Sequence, residues 1–391
     1  MKVSANSAQN PKSTILKNLL RIEINSNRIY GLDILRALAI IFVVAEHGEY
    51  LMPKARYKYI NFFLFDGVNI FFVLSGFLIG GILIKILKEN RLNSKLIINF
   101  WIKRWFRTFP NYFLILTILI LLNVFFNDNF SLYDYKRYFL FSQNLFSAHP
   151  NFFPEAWSLS VEEWFYLLLP IVLFISIKVL KISIGNSILF SAFSIIISIT
   201  LFRYFRYTTL TINEFWVWDI TFRKQVFTRL DSLMYGVIGA YIYSRYIIFW
   251  NKYRIQFLAL GLILYIFMKF NLFEFKSFGL FNCVFSFSLT SIATLFLLPY
   301  LSSVKKGKGV IFKLMTYTSL ISYSMYLINL TIVQNWILGN IEWSILENFN
   351  RYVFLLTRYS IYWLLTVAIS IIMHKYFEIP IMNLRDKIRI K

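Results

Sequence analysis

The sequence has one cysteine, Cys283, and three histidines, and only 15% of its 391 residues are charged. A single cysteine excludes both a disulfide framework and a cysteine-built metal site. The histidines stand far apart, at 47, 149 and 374, so no histidine cluster and no metal ion are expected. The scarcity of charge is set against 58% hydrophobic and 20% aromatic residues and a mean hydropathy of +0.60. A water-soluble fold cannot bury that much apolar surface, and the composition is that of a polytopic membrane protein. Acidic residues are the scarcest charges, 19 against 41 Lys and Arg, which leaves a formal net charge of +22. This excess does not point to nucleic acid, because the basic residues punctuate apolar runs as topology signals do. No removable signal peptide is evident, since the first apolar run carries charges and continues the fold. No appended soluble domain, low-complexity tract or internal repeat is expected.

Hydropathy predicts an all-α protein of about ten transmembrane helices, at 31–51, 66–84, 108–126, 159–178, 184–202, 231–249, 255–270, 277–301, 314–338 and 353–374. Residues 1–29 read as a cytoplasmic tail with an amphipathic piece from Ile15 to Ile24, residues 30–376 as the transmembrane domain, and 377–391 as a basic cytoplasmic tail. Ten spans put both termini on one side. Segments on that side hold 26 Lys and Arg against 14 on the other, so the termini are expected in the cytoplasm.

The first span, Tyr30 to His47, carries Asp33, Arg36 and His47 where a lipid-solvated helix should carry no ionisable group. Arg36 and His47 are 11 residues apart, about three helical turns, so they share a face and are separated by roughly 16 Å along the axis. Asp33 lies near the same face. One polar stripe therefore runs most of the way across a bilayer. His47 could act as a general base on a hydroxyl, or it could be a structural histidine bonded to a carbonyl. Asp33 and Arg36 are spaced to pair with each other, and either could instead meet a ligand. In the second span Ser75-Gly76 suits close helix approach, with Asn69 facing the polar path. Lys103, Arg104 and Arg107 enter the third span as a cluster able to clamp phosphates, although headgroup anchoring would use the same residues. Ser160 and Glu163 read as a capping box for the fourth span. This leaves Glu162 free to orient a histidine or bind sugar hydroxyls. Arg229 and Asp231, at the start of the sixth span, either bridge spans or bind substrate. His149 and His374 are expected to be incidental.

Five stretches in order resemble the membrane acyltransferase 3 family: Gly31-Leu-Asp-Ile-Leu-Arg-Ala-Leu-Ala39 running on to His47, Phe71-Phe-Val-Leu-Ser-Gly-Phe-Leu78, the basic cluster before Pro110, Trp157-Ser-Leu-Ser-Val-Glu162, and Arg229-Leu-Asp-Ser232. Ser322-Tyr-Ser-Met-Tyr-Leu327 and Phe377-Glu-Ile-Pro380 add weaker matches. The resemblance implies an acyl-CoA donor, usually acetyl-CoA, used as a substrate with no bound cofactor. It also implies a hydroxyl acceptor, commonly an envelope polysaccharide or glycolipid, and a bacterial plasma membrane. By the same resemblance His47 matches the family's essential histidine, and the basic cluster matches paired residues near the cytoplasmic face proposed for donor handling. Two positions depart from the family: Lys103 stands where arginine is usual, and Asn329 where histidine is common, so Asn329 is assigned no role.

These readings join into one expectation. His47 and Glu162 are the catalytic candidates. Arg36, Lys103, Arg104 and Arg107 are the donor-binding candidates, with Asp33, Asn69, Arg229 and Asp231 in support. Acyl-CoA would enter from the cytoplasm and a glycan hydroxyl from outside. The alternatives are a glycan or lipid transporter, which also needs a polar path through a bundle, and an inactive family member with an assembly role.

Overall fold

The computed structural model describes residues 28–89, 94–272 and 276–387. The amphipathic piece at 15–24 lies outside the described residues. Among those described there are no strands, and ten helices of sixteen residues or more coincide in position with the apolar runs. They are α1 (Tyr30–His47), α2 (Gly67–Glu89), α3 (Ser94–Phe126), α4 (Ala156–Phe174), α5 (Ile184–Thr209), α6 (Leu230–Arg245), α7 (Arg254–Phe270), α8 (Ser286–Ser303), α9 (Gly309–Ile328) and α10 (Arg351–Met373). Six stretches, built on α2, α3, α4, α5, α8 and α10, are long and apolar enough to cross a membrane. The helix α1 is 18 residues long and interrupted by charge, while α6 and α7 have 16 and 17 residues. The region from 377, expected as a tail, is helical to Lys387 and buries Glu378.

Local chemistry sets the helix starts. The Asp66 carboxylate accepts the Asn69 backbone N–H at 2.9 Å and caps α2. Asn350 does the same for α10, accepting from Tyr352 and Val353. The expected Ser160–Glu163 capping box does not form, because α4 begins four residues earlier, at Ala156. Ser160 lies inside the helix, donating to the Ala156 carbonyl and accepting from Gln143 Nε2 at 2.7 Å.

The bundle centres on α1, which packs against α2, α8 and α9, and on the α2–α6 pair. A β-carbon on Gly76 would stand 1.9 Å from the Leu233 carbonyl oxygen, and one on Gly236 would stand 2.1 Å from that of Val73. These glycines let two backbones touch, as the Ser75-Gly76 pair predicted. The contact sets the register that carries Ser75 and Asn69 to their partners.

Candidate active site

A cavity of about 280 Å³ opens between α1, α2, α3, α4 and α9. Arg36, Arg104 and Arg107 line it, with hydroxyls from Ser75, Thr108, Ser158 and Tyr326 and apolar walls that include Phe71, Phe72 and Ile79. Three of the four expected donor-binding residues therefore converge from two helices. Lys103 does not join them: it is exposed and lines no part of the cavity. Arg36 is available because its expected pairing with Asp33 does not occur. Asp33 instead pairs with Arg28 and accepts from Ser319 Oγ at 2.8 Å. Arg36 forms no hydrogen bond or ion pair among the described residues.

Glu162 lines the same cavity but does not reach His47. Its Oε1 accepts from Ser75 Oγ at 3.0 Å and its Oε2 from the Tyr166 hydroxyl at 2.9 Å. Ser75, read from sequence as packing only, has a polar role as well.

His47 is held by the residue to which the sequence assigned no role. Its Nδ1 lies 2.6 Å from Asn329 Oδ1. The Asn329 Nδ2 donates to the Met325 and Tyr326 carbonyls at 2.9 Å each, which fixes the amide orientation, and the Tyr362 hydroxyl donates to Oδ1 at 3.3 Å. An amide oxygen can only accept, so His47 carries its proton on Nδ1 and presents an unprotonated Nε2. That is the tautomer a general base requires, fixed by a neutral neighbour. Asn329 begins a π-helical segment, Asn329–Ile337, that continues α9, a distortion frequent at functional sites. The segment is tied down by Glu155, a buried carboxylate that accepts the Thr331 N–H at 2.7 Å and also the Thr331 hydroxyl. Tyr326, one turn before Asn329, lines the cavity, whereas His47 and Asn329 do not. Beside His47, Glu46 lies 3.6 Å from Arg223, which also pairs with Asp219.

The remaining candidates bridge helices. Asp231 pairs with Arg203 at 2.7 Å, both side chains fully buried, tying α6 to α5. Arg229 donates to Asn69 Oδ1 at 3.0 Å and lies 3.9 Å from Asp66; Ser291 of α8 donates to the same Asn69 oxygen. Asn69 and Arg229 are therefore not in the cavity lining. The other two histidines are buried and bonded. His149 is buried with Nε2 donating to the Phe153 carbonyl at 2.9 Å, and burial pushes its imidazole down to about 4. His374 pairs with Glu378 at 2.9 Å, and Glu378 also accepts from Asn111 of α3 and Ser324 of α9. Arg203 and Glu155 gave no sequence signal, since each acts through a partner distant in the chain, and Asn329 was marked only as a departure from the family's usual histidine.

Comparison with known proteins adds an independent observation. Residues 29–375 match the family described as an acyltransferase domain, acyltransferase 3. The chain is 33% identical over 180 residues to the peptidoglycan O-acetyltransferase OatA of Listeria monocytogenes, covering 41% of this chain and 27% of that protein. It is 30% identical over 167 residues to the putative peptidoglycan O-acetyltransferase YrhL of Bacillus subtilis (39% and 25%) and 28% identical over 160 residues to the O-acetyltransferase OatA of Staphylococcus aureus (37% and 24%). The matched regions span about a quarter of the length of these relatives. No solved structure matches. With six helices able to cross a membrane and a family match over nearly the whole of its length, this chain belongs to the acyltransferase 3 family of multi-pass membrane proteins.

Proposed function

We propose that the protein is a membrane O-acyltransferase that moves an acyl group, typically acetyl, from cytoplasmic acyl-CoA to a hydroxyl of an extracytoplasmic glycan. The observation that carries this reading is the cavity lined by three arginines and reaching Tyr326, one helical turn before the asparagine that sets the His47 tautomer for proton abstraction. Guanidinium groups bind phosphates through paired N–H donors, so Arg36, Arg104 and Arg107 receive the phosphates of CoA. The long, thin pantetheine arm fits the narrow cavity beyond them, where Glu162 offers an acceptor to its amide N–H groups. The thioester then lies near Tyr326 and Ser158. His47 Nε2 takes the proton from the acceptor hydroxyl as its oxygen forms a bond to the thioester carbonyl carbon. The C–S bond breaks, and the proton passes from the imidazolium to the departing CoA thiolate. Relatives named as peptidoglycan O-acetyltransferases support a glycan as acceptor.

The test is CoA release from acetyl-CoA by the purified protein in lipid vesicles, with envelope glycan supplied. Release is expected to need both the glycan and His47. Transfer by His47→Ala at near wild-type rate would remove the base assignment, and no release from any acyl-CoA by a folded protein would favour the transporter.

The same reading places ten spans in a bacterial plasma membrane with both termini cytoplasmic. Because Cys283 is the only cysteine, Cys283→Ser gives a background for accessibility mapping. An impermeant maleimide should label Trp216→Cys in intact cells and Lys103→Cys only after lysis; the reverse pattern would invert the topology.

A further inference from the structure

A second cavity, of about 460 Å³, lies at the end of the bundle that carries His47, between the α5–α6 connection, the end of α7 and the start of α8. Its lining includes Phe215, Trp218, Phe267 and Phe287 with Asp66 and Asn282. Trp218 is stacked on Phe287, ring centroids 5.6 Å apart and planes 12° from parallel, and its indole N–H donates to the Asn282 carbonyl at 3.3 Å. Phe215 lies 5.7 Å from Trp218 and is 62% exposed. The aromatic wall is therefore held in place at Trp218 and open at Phe215. Asp66 uses Oδ1 to cap α2, lies 3.9 Å from Arg229 through Oδ2, and keeps about a third of its side chain exposed (35%).

Two contacts join this cavity to the site already described. The Arg229 guanidinium sits between the rings of Phe72, at 5.5 Å, and Phe287, at 4.4 Å. Phe72 lines the arginine-lined cavity and Phe287 the aromatic one, so these three side chains form a septum between the two. Asp219, next to Trp218, holds Arg223, which reaches Glu46 beside His47.

We propose that the aromatic cavity is the acceptor subsite and that it takes a saccharide. A sugar ring presents a flat C–H face suited to an aromatic wall and a rim of hydroxyls suited to a carboxylate and amides. A hydrocarbon chain would satisfy the rings, but it would strip water from Asp66 without replacing the lost hydrogen bonds, which is costly. This inference rests on the transferase reading, and its test separates the two.

The probe is a soluble N-acetylglucosamine tetrasaccharide, titrated calorimetrically into the protein in lipid nanodiscs, alongside the transfer assay. Phe215→Ala removes an exposed ring and should melt with the wild type. Asp66→Asn retains a side chain able to cap α2 but takes the negative charge from beside the buried Arg229, so it should melt somewhat lower, and Phe215→Ala carries the comparison at unchanged stability. Each is expected to weaken tetrasaccharide binding and raise the acceptor KM about tenfold or more, with the donor KM within about twofold. Acceptor KM and binding unchanged in both variants would overturn the subsite while leaving the transferase standing. Saccharide binding that depends on both residues without CoA release would leave the subsite standing and remove the transferase. Displacement of the tetrasaccharide by a polyprenyl lipid lacking sugar would show a lipid groove and overturn the proposal.

Discussion

Asn329→Leu removes the acceptor that holds His47 and leaves a side chain of similar size. In the resting enzyme the lost contact joins two neutral groups, at about 1 kcal/mol; once the imidazole has taken a proton, a hydrogen bond to a charged donor amounts to about 1.5–3 kcal/mol. Only the difference, about 0.5–2 kcal/mol, acts on the chemical step. It corresponds to a loss of about two- to thirtyfold in kcat. Asn329 does not line the arginine-lined cavity, so the KM for acyl-CoA should stay at the wild-type value. The assay is CoA release at saturating glycan, with the donor varied. A purely structural role would instead lower the melting temperature and disturb both constants. Nitrogen-15 spectra of imidazole-labelled protein give a second readout, with the His47 signals assigned by their absence in His47→Ala. The wild type should show protonated Nδ1 and bare Nε2, and Asn329→Leu a mixture of tautomers. Tyr362→Phe, which removes the longer 3.3 Å bond to the same oxygen and a 3.0 Å bond to the Val44 carbonyl but leaves the Asn329 acceptor in place, should cost less in kcat than Asn329→Leu. The reasoning fails if Asn329→Leu leaves kcat at the wild-type value, or if the wild-type His47 carries its proton on Nε2.

The other predictions use contrasts supplied by the structure. Arg36→Ala should raise the KM for acyl-CoA about tenfold or more, since it removes a charge-assisted bond worth about 1.5–3 kcal/mol; Lys103→Ala, exposed and outside the cavity, should not, and equal effects in a donor titration would count against the cavity as the donor site. Gly76→Ala should lower the melting temperature severely, because its β-carbon would meet the Leu233 carbonyl at 1.9 Å, whereas Gly81→Ala, with nothing within 4 Å, should be tolerated; equal melting of the two would refute the close approach. His149 supplies a pH dependence. Its folded imidazole is depressed to about 4 by burial, below the value near 6.5 of an unfolded chain. Its stabilisation is therefore complete above about pH 6.5 and is lost as pH falls toward 4, up to about 3 kcal/mol. His149→Gln should flatten the fall in melting temperature between pH 7 and 5, and an unchanged slope would show that another group controls it.

Much of the fold was legible because hydropathy is local: an apolar run becomes a helix wherever its own backbone bonds must be satisfied away from water. All ten apolar runs appear as helices, and Arg36, the charge inside the first of them, lines the cavity with Arg104 and Arg107 from the basic cluster before the third. The late Ser322-Tyr-Ser-Met-Tyr-Leu327 match, weak as a motif, contributes Ser322, Tyr323 and Tyr326 to the cavity wall. Where the reading went astray, it had matched residues by nearness in sequence or by type alone. Asp33 was paired with Arg36 three residues away and in fact takes Arg28 and Ser319. Ser160 was given a cap with Glu163 and lies mid-helix. Glu162 was offered to His47 and is held by Ser75 and Tyr166.

By itself, the sequence determined that this is a helical membrane protein with a charged stripe along its first helix, because periodicity and hydropathy are properties of a segment. Which charge meets which partner was decided by tertiary structure. His47 and Asn329 are 282 residues apart, and they come into contact only because α1 packs on α9 and the chain leaves α9 through a π-helical turn. The register of such packing depends on where backbones can touch, as at Gly76 and Gly236, and that is a property of two surfaces together.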